Sequence, residues 1–193
     1  MRILAIVPFV VMLGCSSTPP DRHLYLLRGE TTGISTNSAP AERVGIGRVT
    51  IAAYLDRAAV VVQIGAREIR PARYHEWGEP LNNGVRHYLR SELVDRLGYE
   101  VASDVIFRDA WDYRIDVSIE TLHGSLNGGA WINAGFVVSK VSGKKATVEG
   151  RVIEHERLTR DGYPGLIDAH TRLLDQLAAA IESALIELRD EGV

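Results

Sequence analysis

An apolar residue recurs at every fourth position in the middle of the chain, from Leu81 to Leu97. This spacing forms one apolar stripe along an α-helix, so it predicts an amphipathic helix with one buried face. Pro80 suits a helix start, and the acid at Glu79 faces the positive end of the helix dipole. Gly98 is placed to end the helix.

A second, longer stripe predicts a final helix over residues 166–188. Residues 162–165, which contain two glycines and a proline, are predicted to interrupt regular structure before it. At about 23 residues this helix spans roughly 34 Å, which is long enough to lie across a whole sheet. One histidine falls on the stripe, where we expect a hydrogen-bonded core histidine rather than a ligand. The stripe consists of Leu166, His170, Leu173, Leu174, Leu177, Ile181, Ala184, Leu185 and Leu188.

Other segments alternate between apolar and polar residues, as half-buried strands do. Residues 113–120 show this pattern most clearly. Residues 130–141 and 146–154 follow after short glycine-containing turns, which predicts an antiparallel meander of three strands. The remaining predictions are strands at 23–28, 44–51 and 59–64, and a loop at 29–43.

The order strands, helix, strands, helix is typical of an α+β fold. We therefore expect a mainly antiparallel sheet with two long helices packed on one face. The sequence contains no internal repeat and no central linker, so residues 23–193 are predicted to form a single domain.

The N-terminus has the pattern of a targeting signal. Met1 and Arg2 precede an apolar run over residues 3–13. In a helix this run reaches roughly 16 Å, about half of the hydrocarbon core of a bilayer. Residues 1–14 are therefore predicted to be a signal peptide and not a membrane span.

Cys15 ends this signal and is the single cysteine of the chain. With Gly14 before it, the site resembles the lipobox of bacterial lipoproteins, in which the thiol is acylated and the cysteine becomes the first residue. The alternative is an ordinary secretory signal with an incidental cysteine. If the lipobox is used, residues 15–22 are a lipidated tether, and the absence of Asp at Ser16 favours the outer membrane by resemblance to lipoprotein sorting.

Composition excludes several classes of protein. The chain has 22 Lys and Arg against 25 Asp and Glu, a formal net charge of −3, which gives no basic face for nucleic acid. Its proportions are those of a folded globular protein. One cysteine excludes an internal disulfide and a cysteine-based zinc site.

The sequence shows no catalytic or metal-binding constellation. Catalytic serine, phosphate-loop and zinc-protease motifs are all missing from the sequence. A metal site at His75, Glu76 and Glu79 is a weak alternative to a polar approach to the helix. We expect no enzyme, no metal and no cofactor beyond the covalent lipid on Cys15. The acids that one could pair as catalytic carboxylates are better explained as solvated surface: Asp104, Asp109, Asp112 and Asp116.

Two segments have both a structural and a binding interpretation. Trp77 precedes the first helix, where an indole can cover the helix end or anchor a protein partner. Arg67, Arg70 and Arg73 suit either lipid head groups or an acidic partner; the plainer alternative is an exposed edge kept unpaired by charge. Weaker interface candidates are Trp131, Tyr163 and the loop at 124–129.

The order of these motifs resembles the ABC-type transport auxiliary lipoprotein family, which includes paraquat-inducible protein C. The resemblance runs from Cys15 to the end of the last helix. After the lipobox, the segments that carry it are Leu24-Tyr25-Leu26-Leu27, the strand at 44–51, Tyr54-Leu55-Asp56-Arg57, Val60-Val61-Val62, and the segment 77–81 that opens a helix.

The resemblance implies a non-enzymatic lipoprotein of an envelope-spanning lipid transport system. Its partner would be a conduit of mammalian-cell-entry-domain proteins, received at the periplasmic face of the outer membrane. The matching positions make Tyr54, Asp56, Arg57, Trp77 and Glu79 the candidate partner interface. Homo-oligomerisation around a conduit is compatible with this role, because a ring needs one heterologous contact that closes. The alternative function is a lipoprotein that itself binds lipid or assists lipopolysaccharide or outer-membrane assembly.

Overall fold

A computed structural model describes residues 21–29, 42–102, 111–143 and 145–190 of the chain. The predicted signal peptide, Cys15 and most of the predicted loop at 29–43 lie outside these residues. In the described part the elements are, in order, β1 (His23–Tyr25), β2 (Val44–Ile51), β3 (Ala59–Gly65), β4 (Glu68–Trp77), α1 (Leu81–Leu97), β5 (Val101–Ala102), β6 (Tyr113–Gly124), β7 (Gly129–Lys140), β8 (Ala146–Arg157) and α2 (Gly162–Asp190).

The strands form one curled sheet, and the α+β prediction is confirmed. β6, β7 and β8 form the predicted antiparallel meander, paired over nearly their whole lengths. The rest of the sheet is mixed rather than mainly antiparallel. β2 runs parallel to both β5 and β6, and β1 runs parallel to β4. β2 pairs in parallel with β5 and β6 because α1 and the chain after it lie between these strands in the sequence.

Both helices pack against the sheet through the predicted stripes. In α1, Leu81, Val85, Leu89 and Leu93 are buried, and Gly98 ends the helix in a left-handed conformation with its N–H donating to the carbonyl of Val94. Every residue of the predicted α2 stripe is buried. The apolar side chains of both helices and of one sheet face belong to one contiguous core. Arg114, Asp116 and Ser118 of β6 point to the other face, which is open.

α2 begins four residues earlier than expected, at Gly162 rather than Leu166, so the predicted break at 162–165 is wrong. Pro164 is tolerated because the N–H groups of a first helical turn have no partner within the helix. Gly165 is required there, since a Cβ would collide with the carbonyl of Arg160.

No strand was predicted for β4, although an exposed, charged edge around Arg67, Arg70 and Arg73 was one interpretation of its first half. Its first half is exposed and charged, and Pro71 lies within it. Such a strand shows no apolar alternation, since Ala72 and Trp77 are its only buried residues. β1 is also shorter than the predicted strand at 23–28, although Leu27 beyond it is buried in the core.

Candidate functional site

The segment 52–58 forms a compact bend between β2 and β3. β2 and β3 both pair in parallel with the same edge of β6, and the bend lies between these two pairings. The N–H of Ala52 donates to the carbonyl of Ile119, and the N–H of Leu55 donates to the carbonyl of Ala52. Leu55 is buried in the core. The bend is therefore held at one end by β6 and in its middle by an apolar anchor.

Three predicted interface residues lie on this bend. The Tyr54 hydroxyl donates a 3.2 Å hydrogen bond to the carbonyl of Glu120, and its ring meets that of His123 edge-on at 5.9 Å. Asp56 and Arg57 are exposed at the apex. Within the described residues, neither of these two side chains forms an ion pair, so both charges are available to a partner.

Trp77 lies beside the bend but turns into the core. The backbone N–H of Trp77 donates a 2.7 Å hydrogen bond to the carbonyl of Ala58. The indole is 7% exposed, with its ring 6.1 Å from that of His170 on α2. The side chain of Trp77 is therefore part of the core. Its role in a partner interface stays a prediction, and the indole offers a partner little surface.

Glu79 ties the segment after β1 to the first helix. Its carboxylate pairs with Arg28 and lies 3.3 Å from Nδ1 of His87 on α1. The hydrogen bond from Arg28 is the main cause that lowers the pKa of Glu79. The structure thus brings the bend next to the backbone of Trp77, while Glu79 faces a different set of neighbours.

An aromatic row crosses the open sheet face and was identified from the sequence only as the weak candidate Trp131. His123, Trp131 and His155 are direct partners on β6, β7 and β8, with ring centres 6.4 Å and 4.9 Å apart. Tyr54 extends the row from the bend. Burial lowers the pKa of His123, which favours its neutral form.

Two grooves flank Trp131, with volumes of about 590 and 470 Å³. Gln63 and Trp131 line both. Alternation along β7 already places Trp131 on the outward side. Along β6 it would place His123 inward with Ile119, but the register shift between Ile119 and Thr121 reverses the two faces, so that His123 lies outward. What alternation cannot supply is the register that aligns them across three strands.

A third groove, of about 750 Å³, lies further along the open face and is lined by charged residues. Asp116 accepts hydrogen bonds from the Arg114 side chain at 2.8 Å and from the backbone N–H of Arg48 at 2.6 Å. Nearby, Glu120 pairs with Arg151 at 2.9 Å, which lowers the pKa of Glu120. The arginine therefore holds Glu120 ionised, which makes this carboxylate unsuited to proton transfer near neutral pH.

Asp112 likewise accepts the backbone N–H of Arg43 at 2.8 Å, which lowers its pKa. The other two acids considered from the sequence, Asp104 and Asp109, lie outside the described residues.

His75 is occupied by aromatic neighbours. Its ring stacks on Tyr163 at 3.6 Å and on His23 at 4.7 Å, and Nδ1 is hydrogen-bonded to the Tyr25 hydroxyl at 2.9 Å. Across the described ranges, no three His, Cys, Asp or Glu side chains cluster as metal ligands would. Of the helices that the structure describes, none combines the length and apolarity needed to span a membrane.

Comparison with known families identifies the chain. The family model described as ABC-type transport auxiliary lipoprotein component matches residues 25–182. The chain belongs to this family. Family members are, by that description, lipoprotein components that assist ABC-type transport. The match covers the bend, Trp77, α1 and α2 as far as residue 182, and it begins after Cys15.

Two solved structures share the fold. A crystal structure of an uncharacterized protein has 21% identity and a TM-score of 0.68, covering 84% of this chain and 97% of its own. A Xanthomonas campestris protein assigned to the DUF330 family has 11% identity and a TM-score of 0.62, covering 91% and 98% respectively. Among curated proteins, none matches this sequence significantly.

Proposed function

We propose that this protein is a lipid-anchored, non-catalytic auxiliary component of an envelope-spanning ABC transport system for lipids. It is acylated at Cys15, lies at the periplasmic face of the outer membrane, and docks a conduit of mammalian-cell-entry-domain proteins. The observation that carries the proposal is the family match over residues 25–182, directly downstream of a cysteine in a lipobox-like signal.

The bend supports the docking role. Asp56 and Arg57 are exposed at its apex, while Leu55 and the hydrogen bond between Trp77 and Ala58 hold its backbone. A rigid backbone that presents charges without internal partners loses little conformational entropy when a partner binds. The bend is therefore the part of the predicted interface that we assign to conduit contact.

The alternative, a lipoprotein that itself carries lipid or assists lipopolysaccharide assembly, requires an apolar cavity between sheet and helices. In that layer the structure has closely packed side chains, many of them with almost no exposed surface. The grooves described above lie on the open face instead and are partly polar. We therefore favour the docking role.

Site-specific crosslinking in cell envelopes tests the proposal. A photo-crosslinking amino acid at Arg57 is expected to capture a mammalian-cell-entry-domain protein. The same group at Glu187, an exposed position on α2, is the matched control. Capture of that partner from position 57 and not from 187 supports docking through the bend. Absence of the conduit protein among the products of both positions contradicts it.

A further inference from the structure

The hairpin formed by β3 and β4 ends in a short segment that extends beyond the core. We call residues 63–71 the hairpin tip. Each of them is at least partly exposed. Ile64 is 44% and Ile69 is 40% exposed, so the tip presents large apolar side chains to its surroundings.

The hairpin tip is also basic. Arg67 and Arg70 lie on it and Arg73 follows directly, against one acid, Glu68. In the described part of the chain none of these three arginines forms an ion pair. The whole protein carries a net charge of −3, so this positive region contrasts with the rest of the molecule. Exposed apolar side chains flanked by free arginines match the chemistry of an anionic phospholipid surface.

The direction of β1 relates the tip to the predicted anchor. β1 is parallel to β4, with His23 beside His75 and Tyr25 beside Trp77. The chain that enters β1 therefore comes from the end of the sheet where β4 begins, which is the hairpin tip. A 3.2 Å ion pair between Arg22 and Glu76 fixes this entry.

The two distances agree. The eight residues from Cys15 to His23 span at most about 29 Å when fully extended. Along β4, the eight residues from Arg67 to His75 correspond to about 26 Å. The tether is therefore long enough for an acylated Cys15 and the hairpin tip to reach the same bilayer surface.

We propose that the hairpin tip is a second membrane contact, which binds the headgroups of anionic phospholipids and orients the body on the bilayer. The inference rests on the proposed acylation of Cys15. The apolar side chains of Ile64 and Ile69 enter the interfacial region, while Arg67, Arg70 and Arg73 meet phosphate groups. The contact sets the angle at which the rest of the protein, including the bend, faces the periplasm.

Fluorescence quenching on vesicles tests this contact. Acylated protein purified from envelopes has a blocked Cys15, so an added cysteine is labelled alone. We would label Ile69→Cys with an environment-sensitive dye and reconstitute it into phosphatidylcholine vesicles with or without 30% phosphatidylglycerol (about a third anionic lipid, enough for a negative surface potential). A lipid with a headgroup spin label serves as quencher. Ile186→Cys on α2, exposed to a similar degree, is the matched control.

The dye at 69 is expected to be quenched strongly in the anionic vesicles and the dye at 186 weakly. Replacing Arg67, Arg70 and Arg73 with serine should reduce the quenching at 69 to nearly the level seen without phosphatidylglycerol, since each arginine near an anionic surface favours binding by about fivefold and the three together by about a hundredfold. Equal quenching at 69 and 186 overturns the proposal and leaves an acidic protein as the partner for the tip. Quenching at 69 that is equal in both lipid compositions overturns the anionic-lipid recognition.

A separate control tests the proposed anchor. The parent protein is treated with the same dye before any cysteine is added. An unlabelled Cys15 supports acylation, and the quenching result then tests the tip alone. A labelled Cys15 contradicts the proposed function itself, whatever the tip does.

Discussion

The Tyr88 hydroxyl donates a 2.7 Å hydrogen bond to Oδ1 of Asp175, which joins α1 to α2. Tyr88 is buried, and burial together with Asp175 raises its pKa, so the phenol stays protonated and remains a donor. Arg96 also joins the two helices, through Glu182 and the carbonyl of Asp175, but it lies exposed at the surface.

Removal of this hydroxyl is expected to weaken the helix pair. Tyr88→Phe leaves a partly buried carboxylate without its donor, which should cost about 1–3 kcal/mol of unfolding free energy. Urea unfolding followed by circular dichroism measures the change. Tyr74→Phe is the control, since the Tyr74 hydroxyl has no hydrogen bond in the described structure, and it should shift stability by less than about 0.5 kcal/mol. Equal effects of the two substitutions would show that the Tyr88 bond contributes nothing.

His170 makes stability depend on pH. It is 0% exposed, so its core position is confirmed, and the hydrogen-bonding contact of its ring with the backbone of His123 lacks standard geometry. Burial is the main cause that lowers its pKa to about 3; the repulsion of His123 acts in the same direction and the backbone of His123 opposes it.

Because the pKa of His170 is lower in the folded state, the unfolded chain binds a proton near pH 6.5 that the folded chain does not bind. Stability is therefore complete above that pH and falls as the pH drops toward 3, by about 2 kcal/mol at pH 5. Unfolding free energies of the wild type and of His170→Leu between pH 7.5 and 5 measure the effect. The variant should lose most of the slope, with a remainder from His123 and His75, whose pKa values are also lowered. Identical slopes would contradict the assignment.

Gly150 is required by packing across the meander. It lies opposite Phe136, and a Cβ at this position would collide with the phenyl ring. Gly150→Ala is expected to destabilise the protein by about 1–3 kcal/mol, because the ring must leave its position in the core. Gly135→Ala on β7 is the matched control, since its Cβ would meet nothing closer than 3.9 Å. Thermal unfolding of the two variants should separate them clearly; similar melting temperatures would count against the packing argument.

Mass spectrometry of the protein from cell envelopes tests the acylation of Cys15. Wild-type protein from envelopes is expected to begin at Cys15 and to carry the added mass of a diacylglycerol and an N-terminal acyl chain. Cys15→Ser should retain residues 1–14, because the proposed processing depends on the modified thiol. Ser16→Ala is the control and should mature normally. Wild-type protein that keeps its first residues, or is cleaved elsewhere without lipid, would refute the lipobox interpretation.

Both helices could be predicted from the sequence because their period reflects which side of each helix is buried. Leu89 and Leu177 lie on stripes that any neighbouring sheet would bury, so their positions needed no knowledge of the partner. The meander followed for the same reason, since alternation and glycine turns act between neighbouring strands. The motif order that indicated the family is likewise a property of the chain alone.

The remaining parts of the fold were determined by pairing between segments far apart in the chain. The parallel alignment of β2 with β6 has no local signal, because it depends on where the connection after α1 returns. β4 is a strand because β3 and β1 supply its hydrogen bonds, although its exposed charges and Pro71 favour no regular structure. The burial of Trp77 beside His170 likewise depends on the approach of α2, which the segment around Trp77 does not reveal. The aromatic row and the position of the hairpin tip relative to the tether arise in the same way, from registers between segments far apart in the chain, whose contacts leave no periodic pattern in either segment alone.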